Sequence, residues 1–68
     1  MTVPVREMTF RYRNWRGEVA ERRVLPSSIW FGVTSYHPEP QWLMTAIDIE
    51  RWEMRDFAMK DMTEVRYK

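Results

Sequence analysis

Arginine and aromatic residues crowd the first third of this 68-residue chain. Phe10-Arg11-Tyr12-Arg13 and Trp15-Arg16 interleave rings with guanidinium groups, the ingredients of a surface that stacks bases and pairs phosphates. The same alternation is also what any basic amphipathic strand shows, with its arginines as a solvated face. Residues 1–23 hold six arginines against three glutamates, net +3, whereas residues 24–68 hold five basic against seven acidic groups, net −2. The whole chain is +1, too little charge for strong non-specific binding to nucleic acid.

Catalytic chemistry is poorly supplied. With one histidine and no cysteine, the nucleophile–base pairs reduce to a serine or threonine beside His37. His37 lies in a proline-rich stretch and reads as an exposed loop residue. It cannot hold a metal without several carboxylates around it. Asp48, Glu50 and Glu53 alternate with Arg51 and Arg55 and read as surface pairs rather than a carboxylate site. The two glycines stand fifteen residues apart, so no glycine-rich phosphate loop exists. We therefore expect no enzyme, no metal and no cofactor.

These residues need elements to position them. Met8, Phe10 and Tyr12 alternate with Thr9, Arg11 and Arg13, the period of a half-buried strand. Gly17 suits the left-handed position of a three-residue hairpin loop. That register sets Thr9 opposite Arg23, Arg11 opposite Glu21 and Arg13 opposite Val19. It leaves Arg22 on the apolar face with Met8, Phe10, Tyr12, Ala20 and Val24. Pro26 predicts a strand end near Leu25, since proline cannot donate to a ladder. Ile29-Trp30-Phe31 then reads as a separate short strand or turn, Tyr36 to Pro40 as a loop, and Trp42 to Ile47 as a strand covered on both sides. From Asp48 to Lys60 the periodicity supports either a helix or a turn and strand, and leaves both open. Thr63 to Tyr67 reads as an edge strand.

Size sets the energetic frame. A chain this short buries about 60% of its unfolded surface and keeps roughly 3–5 kcal/mol of stability. Without disulfides, its four tryptophans or a partner must make up the deficit. A homodimer is expected, through an apolar patch containing Trp30 or Trp52. Residues 1–8 do not resemble a signal peptide, and no apolar run is long enough to span a bilayer. Residues 1–68 are read as one cytoplasmic domain without membrane contact.

Four short pieces in order resemble the WYL domain, a module of bacterial transcription regulators. They are Phe10-Arg11-Tyr12, Arg22-Arg23-Val24-Leu25-Pro26, Trp42-Leu43-Met44-Thr45-Ala46-Ile47-Asp48 and Arg55-Asp56-Phe57-Ala58-Met59. The resemblance runs from about Phe10 to Met62. It departs from the family at Leu43, where a tyrosine is usual, and at Asp61, where an arginine is common. It implies an all-β fold, a small Sm- or SH3-like five-stranded barrel, with a turn and strand between Asp48 and Lys60. An α+β fold with a helix near 48–60 is the runner-up. The resemblance further implies sensing of a nucleotide or single-stranded nucleic acid, in settings that include phage defence, with Arg22 and Arg55 as ligand contacts. Tyr12, Trp42, Arg11 and Arg13 are the neighbouring candidates. The competing reading is a protein-interaction or dimerisation module, docking on itself or on a larger regulator, with no small ligand.

Overall fold

A computed structural model of the protein describes residues 6–67; the Met1–Val5 part of the N-terminal reading lies outside them. Five antiparallel strands form one sheet: β1 (Met8–Arg13), β2 (Val19–Gly32), β3 (Gln41–Asp48), β4 (Glu53–Ala58) and β5 (Met62–Tyr67). Their spatial order is β4-β3-β2-β1-β5. No described helix is long and apolar enough to cross a membrane.

The β1–β2 hairpin follows from its turn chemistry. Asn14 N–H donates to Glu18 O and Gly17 N–H to Asn14 O, both at 2.9 Å. Asn14 Oδ1 also accepts from the Arg16 and Glu18 amides. Gly17 holds φ +81°, the left-handed conformation that glycine adopts without steric cost. Thr9 consequently faces Arg23, Arg11 faces Glu21 and Arg13 faces Val19, as the alternation predicts.

β2 does not stop at Pro26. It runs on through a register shift between Pro26 and Ser28, and Ile29-Trp30-Phe31 form its second half against β3. β1 covers β2 only as far as Val24, so Pro26 sits past that ladder and at a bulge, where a missing donor is tolerated. The helical alternative between Asp48 and Lys60 is also overturned. A turn at 49–52 leads into β4, and only Met59–Asp61 coils, as a single 3-10 turn. Pairing of Met44 with Phe57 and Ala46 with Arg55 gives these residues a sheet partner that periodicity alone does not reveal.

The Sm- or SH3-like barrel is corrected as well: the sheet is open. β4 and β5 are its two edges, and no ladder joins them. The sheet curls far enough for side chains to meet across the gap. Phe57 on β4 packs edge-to-face on Phe10 and Tyr12 of β1, with centroids 5.2 and 5.0 Å apart. The Ala58 amide donates to Tyr12 Oη at 2.9 Å. Met8, Val24, Met44 and Ala46 complete this core on the concave face. Each large side chain buried here contributes about 1.5–3 kcal/mol. On the opposite face Leu43 is fully buried, and Trp30, its partner in the ladder, donates to Thr45 Oγ1 at 2.8 Å.

Candidate functional site

Arg22 reaches the concave face because it pairs with Phe10, whose ring lies in the core. Asp48 ends β3 on the same face, opposite Val24 of β2 and Glu53 of β4. Arg55 lies one position diagonal to it on β4, opposite Ala46. Two guanidinium groups thus flank one carboxylate that is only 3% exposed. Arg22 Nη1 is 3.9 Å and Arg55 Nε 4.0 Å from Asp48 Oδ2. Both exceed hydrogen-bond distance, so the attraction is coulombic and leaves donors uncommitted.

Asp48 is itself held by the turn that follows it. Its Oδ1 accepts the Glu50 amide at 3.0 Å, and its carbonyl accepts the Trp52 and Arg51 amides. Arg55 Nη2 also approaches Glu53 Oε2 at 3.4 Å. The Nε atoms of Arg22 and Arg55 are both buried and meet no acceptor among the described residues. Buried polar atoms of that kind are uncommon, because an unmade bond costs about 1–3 kcal/mol.

Arg22, Arg55 and Glu53 line an open cleft of about 620 Å³. Tyr12, Arg22, Arg55 and Phe57 lie along it, the hairpin supplies Asn14 and Trp15, and the β2–β3 loop supplies Thr34 to His37. The loop is pinned by reciprocal Thr34–His37 backbone bonds of 3.0 and 3.1 Å, leaving Ser35 and Tyr36 at its turn. Trp15 and Tyr36 are both largely exposed, and Arg16 stacks on the Trp15 ring at 4.9 Å. Burial raises the Tyr12 phenol above its ordinary range. It therefore stays protonated while its oxygen accepts from Ala58, leaving the O–H free to donate.

The candidates named from the sequence divide. Arg22, Arg55 and Tyr12 meet in the cleft. Arg11 and Arg13 project from the other face of β1, where Arg11 approaches Glu64 at 3.4 Å. Trp42 lies against Phe31, 5.4 Å between ring centroids, in a separate recess. His37 is half-buried and lines the cleft instead of standing in solvent. Its ring makes no hydrogen bond to a hydroxyl among the described residues. No group of three or more His, Cys, Asp or Glu residues there is arranged to hold a metal. Sequence reasoning named Trp15 for its ring beside Arg16 but missed Tyr36, and it read Asp48 as a surface pair where the structure buries it.

No protein-family model, no curated protein and no solved structure matches the chain. The WYL resemblance is withdrawn on that finding and on the open sheet. Its motif pieces are short strand segments (an arginine, apolar residues, a proline or aspartate) whose residue types the β-sheet itself calls for. The associated transcription-regulator and phage-defence settings fall with it.

Proposed function

We propose that the chain is a non-catalytic binding module whose cleft takes a nucleotide or a short stretch of single-stranded nucleic acid. One observation carries this reading: Arg22 and Arg55, each with part of its guanidinium side chain exposed, converge on the cleft that Trp15 and Tyr36 line. A guanidinium fork matches a phosphate, and exposed rings stack bases at about 1–3 kcal/mol each. The Tyr12 hydroxyl adds a neutral donor.

Asp48 and Glu53 balance the two arginines, so affinity depends on directed bonds more than on net field. Binding therefore weakens with salt along a shallow slope. That balance of charge also favours the second reading, in which the cleft meets a protein and takes no small ligand.

Fluorescence polarisation with labelled single-stranded DNA, RNA and nucleotides at low salt tests the proposal. Arg22→Ala and Arg55→Ala are each expected to weaken binding by about 1.5–3 kcal/mol, the worth of a charge-assisted hydrogen bond. Absence of binding to every probe, or binding that survives both substitutions, rejects the ligand in favour of the protein-interaction reading.

A further inference from the structure

A second concavity shares no lining residue with the cleft. It is a recess of about 650 Å³ between Ile29 and Phe31 of β2, Gln41 and Trp42 of β3, and Met59 and Lys60 of the 3-10 turn. Ile29, Phe31 and Trp42 are each more than half exposed, a concentration of apolar surface that marks an interaction site. Its polar equipment is sparse and specific. Gln41 donates through Nε2 to Glu39 O, while its Oε1 is buried and meets no donor among the described residues. Lys60 at the rim enters no salt bridge among the described residues.

The complementary group is a large apolar side chain with one N–H donor and an acid beside it. The chain carries that combination itself. Trp52 tips the β3–β4 turn at 71% exposure, with Glu50 and Glu53 on either side. An indole is apolar except for a single N–H donor. Nothing among the described residues accepts a bond from Trp52 Nε1.

We propose that a second copy of this chain occupies the recess. Trp52 of one copy inserts among Ile29, Phe31, Trp42 and Met59 of the other, donates to Gln41 Oε1 as the Gln41 amide turns outward, and brings Glu50 toward Lys60. Trp52 lies at the turn of the β3–β4 hairpin and the recess lies at its open end, where Leu43 pairs with Ala58. Two hairpins laid antiparallel place each turn over the other's recess, so the exchange is reciprocal and yields a two-fold dimer rather than a filament.

Sedimentation equilibrium of the full chain, from low to high micromolar concentration, tests this. The wild type is expected to dimerise, and Trp52→Ala to raise the dimer Kd by roughly thirtyfold or more, as for an interface anchor. Trp52→Phe keeps the apolar ring but not the donor, and is expected to raise it by about fivefold. Phe31→Asp changes an exposed recess residue and is expected to give a monomer, with circular dichroism reporting that the strands persist. Lys60→Glu, which leaves the core untouched, is expected to weaken the dimer, and Glu50→Lys in the same chain to restore it. A wild type that stays monomeric throughout overturns the proposal, even if the recess then captures an unrelated peptide. So does a dimer indifferent to Trp52→Ala, or a charge exchange that restores nothing.

Discussion

Arg22 and Arg55 converge on one carboxylate oxygen, Asp48 Oδ2, at 3.9 and 4.0 Å, from strands that do not pair with each other. β3 lies between them, and Asp48 is the residue by which β2 and β4 are joined electrostatically across it. The carboxylate is buried, whereas each guanidinium keeps part of its surface in the cleft. Asp48 therefore depends on the arginines more than they depend on it.

Non-additive stability follows. Either arginine alone still offsets the Asp48 charge, so Arg22→Ala or Arg55→Ala is expected to cost about 1 kcal/mol. Removing both leaves a buried anion unpaired, and the double variant is expected to lose about 3–5 kcal/mol, more than the two single losses added. Asp48→Asn keeps an oxygen for the Glu50 amide but removes the charge. In that background the two arginine substitutions should become nearly additive. Urea titration of the full cycle measures the coupling, and a cycle that closes with none would refute the arrangement.

Tyr12 links β1 to β4 through the bond its oxygen accepts from the Ala58 amide. Tyr12→Phe leaves that buried amide without an acceptor and is expected to cost about 1–3 kcal/mol by chemical denaturation. The alkaline behaviour should change with it. Burial raises the phenol from its ordinary value of 10.0, so above that pH the unfolded chain gives up its proton before the native one. Tyr12 thus contributes stability that is intact below pH 10 and lost as pH rises through its native value. Wild-type stability should fall more steeply than that of Tyr12→Phe in this alkaline window. Parallel curves would show that Tyr12 titrates as it does in the unfolded chain.

On the outer face, Thr45 accepts the Trp30 indole N–H at 2.8 Å and donates to Asp56 Oδ1 at 2.6 Å. One hydroxyl therefore ties β2, β3 and β4 together. Thr45→Val keeps the shape and removes both bonds, with an expected loss of about 1–2 kcal/mol. Asp56→Asn can still accept from Thr45 and should cost less. Thermal unfolding of the two variants side by side ranks them, and the reverse order would count against the relay.

The β1–β2 register was legible because two local signals agree. Alternation places Met8, Phe10 and Tyr12 on one face, and Gly17 sets the loop length that fixes their partners. Arg22 could be placed on the core face by the same logic. Its meeting with Arg55 could not, because that depends on how β3 and β4 align through a turn whose residues also suit a helix. Pro26 misled in the opposite sense. Its cost depends on whether a neighbour strand needs its N–H, and β1 ends before reaching it. The loop residues Tyr36 and His37 enter the cleft through the path of the chain in space, for which no local pattern exists. The barrel failed for a related reason, since closure requires a β4–β5 ladder that strand content alone does not supply.

The two glycines separate backbone strain from steric exclusion. Gly17 holds φ +81°, and a Cβ there would meet nothing within 4 Å. Gly17→Ala therefore meets only the penalty of a left-handed L-residue, about 1–2 kcal/mol. Gly32 lies outside the left-handed region, but a Cβ there would stand 2.6 Å from Trp30 Cζ3 and 3.0 Å from Cε3. The contact atoms belong to a ring rather than a flexible chain end. That ring cannot tilt away without disturbing its bond to Thr45. Gly32→Ala is thus expected to displace the indole and to cost about 1–3 kcal/mol, as overpacking does. Near-ultraviolet circular dichroism distinguishes the two. Gly32→Ala should alter the tryptophan signal, whereas Gly17→Ala should lower the melting temperature and leave the Trp30 environment intact. If Gly32→Ala preserves both stability and the aromatic spectrum, the Trp30 ring does not rest against the β2 backbone.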